Sequence, residues 1–159
     1  MKKTISIILV VLSVLVTFSL PVSANAHSTI TDTNSYIEYY EDGSYSVTTI
    51  TQSPATRAST YVVTGEKVVD LYNSSNELQW TYTLIGKFTV VYGESVVCTS
   101  STYTHTIYNS GWSLTAHNNT YRNNIACGTA TFKKKVLFIT TNTYDVDVEI
   151  GCDVYGNVG

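Results

Sequence analysis

The stretch Leu78-Gln79-Trp80-Thr81-Tyr82-Thr83-Leu84 decides the reading of this chain. Leu78, Trp80, Tyr82 and Leu84 alternate with Gln79, Thr81 and Thr83. A period of two is the mark of a β-strand with one face buried and the other in water.

Working outward, the same chemistry recurs along the chain. Tyr36–Tyr40 and Tyr45–Ile50 flank Glu41-Asp42-Gly43-Ser44, and Asp-Gly between two strand-like runs signals a hairpin because Gly accepts positive φ. Gln52–Ser59, with Pro54, reads as a connector. Tyr61–Thr64 and Lys67–Tyr72 follow, with a turn expected at Gly65-Glu66 and another at Asn73–Asn76. Gly86 is expected to interrupt the next strand before Phe88–Tyr92, and Gly93-Glu94 to turn into Ser95–Thr106. Asn109-Ser110-Gly111 is a turn before Trp112, Leu114 and Ala116; His117–Asn124 is polar and reads as a loop. Ile125–Phe132, Val136–Thr143 and Tyr144–Val154 complete the set. Short strands at a spacing of roughly 8–12 residues predict an all-β, antiparallel β-sandwich, immunoglobulin-like or similar.

Residues 1–26 are of a different kind. Lys2 and Lys3 precede an apolar run from Ile5 to Leu20, and Pro21 and the small residues Ala24-Asn25-Ala26 close it. This is the pattern of a secretory signal peptide, with a mature start at His27 or Asn25. No later stretch is long and apolar enough to act as a stable membrane anchor. Removing 26 of 159 residues leaves 133, with 9 − 2 = 7 basic and 12 acidic side chains, a net charge of −5. This part holds 23 Thr, 13 Ser and all 13 Tyr, a strand-forming composition. The organisation expected is a signal at 1–26, a β-hairpin and connector at 27–59, and a sandwich at 60–159. The product is expected outside the cell. An acidic balance speaks against nucleic acid as a partner, since phosphates are bound by basic faces.

Three cysteines in an exported chain cannot all pair within it. Cys152 shares parity with Val146, Val148 and Ile150, opposite the acidic series Asp145, Asp147, Glu149 and Asp153, so it faces the core. Cys98 shares parity with Val96. Around Cys127 the alternate series Ala126, Gly128, Ala130 and Phe132 is small enough to be the packed one. The expectation is a Cys98–Cys152 disulfide with Cys127 as a free thiol.

Several segments then resemble a group of small secreted proteins of Gram-positive bacteria: EDGSY at 41–45, RASTY at 57–61, YNSSNELQWTYTLIGKFTVVYG at 72–93, CTSS at 98–101, IYNSGW at 107–112, ACGTATF at 126–132 and CDVYGNVG at 152–159. The resemblance implies cysteines at the places of Cys98 and Cys152, and Cys127 departs from it. It carries no catalytic residue over.

Searches for chemistry in the residues end mostly in exclusions. His105 and His117 lie twelve positions apart in strand-like or loop sequence, without the close ligand spacing of a zinc site. The acids of 145–153 are spread along one strand instead of converging through a glycine turn, so no calcium loop is read there. No G-x-S-x-G elbow is present. The expectations are therefore no catalytic residue, no metal and no cofactor. The excess of tyrosine is the remaining handle: not every phenol can be buried with its hydroxyl satisfied. Tyr39, Tyr40, Tyr45, Tyr103, Tyr108 and Tyr121 are the candidates for a binding surface, its partner an extracellular glycan or protein. The competing expectation is a secreted toxin or bacteriocin acting on membranes, for which Tyr36–Ile50 is the amphipathic hairpin.

Overall fold

A computed structural model describes residues 35–53 and 58–159. The signal expected at 1–26, the start of the 27–59 segment and the centre of its connector lie outside the described residues. Eight strands fill the rest: β1 (Ser35–Tyr39), β2 (Tyr45–Gln52), β3 (Thr60–Tyr72), β4 (Leu78–Val91), β5 (Ser95–Ile107), β6 (Trp112–Arg122), β7 (Ile125–Val136) and β8 (Ile139–Gly151). Strands β1-β2-β3-β4-β5 make one antiparallel sheet and β6-β7-β8 a second. The all-β sandwich is thus what the chain forms. Each sheet is an uninterrupted meander, so every pairing is between sequence neighbours and no Greek-key crossing is used.

The two sheets pack through β5 and β4 on β7 and through β3 and β4 on β8. The core alternates as the sequence does: Trp80, Tyr82, Leu84, Phe88 and Val90 from β4 meet Ala126, Ala130 and Phe132 from β7 and Val146, Val148 and Ile150 from β8. Asp145, Asp147 and Glu149 point to water between the buried residues of β8. All of this core lies within the compact unit Thr31–Gly159.

Three expectations fail, each for a packing reason. No turn forms at Gly65-Glu66 and no break at Gly86: β3 and β4 run straight through, with Gly65 and Gly86 paired to each other. These glycines are gaps in the inner faces. A Cβ on Gly65 would lie 2.6 Å from Val158 Cγ1, and one on Gly86 2.8 Å from Phe88 Cζ and 3.0 Å from Ala126 Cβ. Gly128 on β7 is the same device, its missing Cβ replaced by the Tyr82 hydroxyl, 2.5 Å away, and Leu84 Cδ1, 2.8 Å away. Glycine inside a strand marks close approach here, not punctuation. His117–Asn124 is not a loop: β6 runs to Arg122 before a turn at Asn123-Asn124. As an edge strand it is largely exposed along this stretch, so it needs no apolar alternation. Val136–Thr143 is not one strand, because the chain reverses at Leu137-Phe138.

Gln79 also departs from simple alternation. The register shifts between Leu71 and Tyr72, which face Trp80 and Leu78, leaving Gln79 as the extra residue. The bulge turns it inward, where it is buried. Its amide donates to the Glu77 carbonyl at 2.9 Å and accepts from Asn109 Nδ2 at 2.9 Å.

The parity of the cysteines holds, but the Cys98–Cys152 disulfide is not formed: all three thiols are free. Cys98 and Cys152 are buried as predicted, and each sulfur finds a backbone carbonyl instead, Ser100 O at 3.4 Å and Asp153 O at 3.5 Å. Burial, the Asp153 charge and the neighbouring Cys98 together push the Cys152 thiol up to about 11. Cys127 is half-buried on the outer face and donates to Glu149 Oε1 at 3.4 Å. Its pKa is raised by burial first and by Glu149 second.

Two outcomes follow. Gly128→Ala is expected to lower the melting temperature by roughly 5–10 °C through overpacking against Tyr82 and Leu84. In a Tyr82→Phe background the loss shrinks, because the hydroxyl that meets the new methyl is gone. For reduced native protein, a thiol reagent is expected to label Cys127 alone, and unfolded protein should yield three thiols. Glu149→Gln should speed the Cys127 reaction about threefold near neutral pH by removing the charge that disfavours its thiolate. Rapid native labelling of Cys98 or Cys152 would contradict the packing described.

Candidate ligand-binding face

Two reversals of the larger sheet and parts of the smaller one meet at one end. The β1–β2 turn (Tyr40–Ser44), the β3–β4 turn (Asn73–Glu77), the start of β6 and the first part of β8 border a cleft of about 290 Å³. The β1–β2 turn is the Asp-Gly hairpin read from the sequence. Gly43 takes φ 78, Tyr40 N–H donates to Ser44 O at 2.9 Å, and Gly43 N–H donates to Tyr40 O at 3.0 Å.

Tyr40, Trp112 and Tyr144 line the cleft and pack on a buried aromatic pair, Trp80 and Phe132, beneath it. Trp80 stacks on Phe132 with centroids 4.0 Å apart and planes 5° from parallel. Tyr144 meets Trp80 edge-on at 5.0 Å, and Tyr40 meets Tyr144 edge-on at 5.2 Å. Trp112 closes the group, 6.3 Å from Trp80. The Tyr40 hydroxyl bonds to the Tyr144 hydroxyl and, at 2.8 Å, to Ser46 Oγ. Burial, opposed in part by Ser46, drives the Tyr40 phenol well above its ordinary range, so it stays a neutral donor.

The rim is polar. Asp42 accepts from the Ser44 hydroxyl and from Ser44 N–H at 3.0 Å, and these bonds hold its carboxyl below the ordinary range, with Lys134 adding a smaller electrostatic pull. Asn142 Nδ2 donates to the other Asp42 oxygen at 3.3 Å. Lys134 Nζ stands 6.0 Å from the Trp112 ring centroid. Trp112 is 8% exposed, lines the cleft, and its indole N–H has no hydrogen-bond partner among the described residues. That nitrogen is itself shielded from solvent, as is the Trp80 indole nitrogen, so the polar groups a ligand meets are those of the rim.

Next to the cleft a row of tyrosines crosses the outer face of the larger sheet. Tyr39 lies 5.6 Å from Tyr45, and Tyr45 stacks on Tyr72 at 5.0 Å, 9° from parallel. Strand pairing puts these rings side by side, since Tyr39 faces Tyr45 and Tyr45 faces Tyr72. Tyr72 borders both the row and the cleft. Its phenol is pushed up by burial first, then by Asp70, Tyr45 and Tyr108, which places Tyr108 within electrostatic reach at the far end of the row. Tyr39 and Tyr108 are 64% and 59% exposed.

The six candidate tyrosines therefore divide. Tyr39 and Tyr45 share the row, Tyr108 lies at its end, and Tyr40 turns inward to the cleft. Tyr103 stands elsewhere, 4.4 Å from His117 and 5.7 Å from Tyr82 in a groove between β5 and β6. Tyr121 lies exposed near the end of β6, away from both. Tyr72, Tyr144 and Trp112 were missed as members of the face. Only the pairing register brings Tyr72 beside Tyr45, and no local pattern shows it. Compared with known proteins, this chain matches no family model, no curated protein and no solved structure.

Proposed function

We propose that the protein is a secreted, non-enzymatic β-sandwich that binds an extracellular glycan through the tyrosine row and the cleft beside it. The observation that carries this reading is the row Tyr39–Tyr45–Tyr72, three neighbouring rings on one sheet face. Flat, half-exposed aromatic rings offer apolar faces to the C–H faces of sugar rings, while Asp42, Lys134 and Asn142 on the rim of the cleft offer the hydrogen bonds that hydroxyls need. A protein partner would use the same Tyr-rich surface with less need for the cleft. Supporting the absence of catalysis in this reading, the cleft's polar groups are tied to one another: Ser44 donates to Asp42, and the phenol of Tyr40 is held neutral. The resemblance to small secreted Gram-positive proteins and the 1–26 segment point to export, with a mature N-terminus at His27 or Asn25. Amino-terminal sequencing of protein from culture supernatant tests that part.

A glycan array probed with residues 27–159 is expected to select a sugar class. Tyr45→Ala and Tyr72→Ala should then weaken binding about tenfold each. Tyr121→Ala should leave binding unchanged. Retained affinity in the Tyr45 and Tyr72 variants, with their folds intact by circular dichroism, would remove this face from the reading.

A further inference from the structure

The β7–β8 hairpin ends in a tip unlike every other reversal in the fold. Val136 pairs with Ile139, so the turn has two residues, Leu137 and Phe138, at φ 48 and 70. Positive φ at both central positions is a type I′ turn, whose ordinary residues are Asn and Gly because they tolerate that region. The other positive-φ residues described are Gly43, Gly93, Gly156, Asn76 and Asn123. Only here do large apolar side chains occupy such positions. They gain nothing from the fold in return: Leu137 is 86% exposed and Phe138 100%, flanked by Val136 at 53% and Ile139 at 69%. Strain together with full exposure of apolar bulk points to a use outside the domain.

The tip's charge says what that use is. Residues 133–143 read Lys-Lys-Lys-Val-Leu-Phe-Ile-Thr-Thr-Asn-Thr, three cations and no acid, on a chain of net charge −3. Among the described residues Lys133 and Lys135 form no ion pair, while Lys134 leans toward Trp112 and Asp42. An apolar point collared by free lysines fits a surface that is apolar below and anionic at its rim, and a bilayer of anionic phospholipid is such a surface.

We propose that the β7–β8 tip is a membrane-docking spike. Val136, Leu137, Phe138 and Ile139 enter the interfacial layer of an anionic bilayer, and Lys133 and Lys135 meet the lipid phosphates with their stems along the apolar boundary. The rest of the sandwich stays in water, so attachment is reversible and no strand spans the membrane.

The test is co-sedimentation of residues 27–159, which contain the whole compact unit and its core, with large vesicles of phosphatidylglycerol and phosphatidylcholine or of phosphatidylcholine alone. Binding is expected on the mixed vesicles and should weaken in high salt. Leu137→Asn with Phe138→Gly should reduce it by more than about 30-fold, although this variant should melt at or above the native temperature because Asn-Gly suits the turn. Lys133→Gln with Lys135→Gln should reduce binding roughly fivefold per lysine on the anionic vesicles and leave the weak binding to neutral ones unchanged. The proposal is overturned if the Asn-Gly variant binds like the native chain. It is also overturned if neutral and anionic vesicles are bound alike. Absence of vesicle binding, with tip-dependent self-association in sedimentation velocity, would overturn it in favour of a contact between two copies.

Discussion

The fold depends on one contact across its two sheets: the indole of Trp80 lying flat on the ring of Phe132, 4.0 Å apart and nearly parallel. Two meanders that never exchange a strand share no ladder of hydrogen bonds; only scattered ones cross between them, such as Cys98 N–H to Asn123 O at 2.7 Å and Ser101 Oγ to Cys127 O at 3.0 Å. Side-chain packing must therefore do most of the work of fixing their relative position. A stacked pair of large rings suits that task because it buries apolar area and resists sliding and rotation together. Trp112 and Tyr144 stand edge-on to Trp80, and His105 edge-on to Phe132 at 6.3 Å, so the pair is gripped from several strands. The cleft inherits its floor from this arrangement. Tyr40, Trp112 and Tyr144, which line the cleft, pack around the buried pair that aligns the sheets.

Glycine is the counterpart of these rings. Bulky aromatic residues on β4 need room on the facing sheet, and Gly128 provides it for Tyr82 while Gly86 accommodates Phe88. The Tyr82 hydroxyl is buried with no well-formed hydrogen bond among the described residues, and its phenol is raised chiefly by that burial, with the nearby Asn119 amide opposing. Such a group is costly to bury. The ring's packing against Leu84, Gly128 and Tyr103 is what offsets the cost.

How much of this was legible in the residues can be judged from particular cases. The alternation of Leu78–Leu84 gave the strand and its buried face, and Asp145–Asp153 gave the outer face of β8, because one wet side leaves a period of two in the sequence. Asp42-Gly43 gave its hairpin because turn chemistry is local. Gly65 and Gly86 misled because what packs over a mid-strand glycine is not written beside it: Val158 and Ile150 crowd Gly65, and Ala126 together with Phe88 crowds Gly86. The polar run on β6 misled because an edge strand exposed on both faces carries no pattern. Tyr39 and Tyr45 were legible as surface tyrosines. Their union with Tyr72 was not, since it depends on the register of two strand pairs separated by the 54–59 connector region in sequence. The reversal at Leu137-Phe138 was hidden for the opposite reason: its residues argue for a strand and against a turn.

That last case shows how the hairpin is built. A Leu-Phe pair does not favour a type I′ turn, so the turn cannot direct the pairing of β7 with β8. The register is set at the other end, where Ala126, Ala130 and Phe132 face Ile150, Val146 and Tyr144 across the pair. Slipping by one residue would move Asp145, Asp147 and Glu149 to the core face. From that anchored base the ladder runs outward through the shift at Lys134/Lys135 to the Val136–Ile139 pair, and the chain is left two residues in which to turn. The core thus imposes a conformation on residues that would not choose it. A stability-driven sequence would relax this tip with Asn-Gly, as the folded domain gains nothing from Leu137 or Phe138. Their presence at the most exposed point of a basic hairpin is therefore a constraint from outside the fold, and the lysines beside them indicate what lies there.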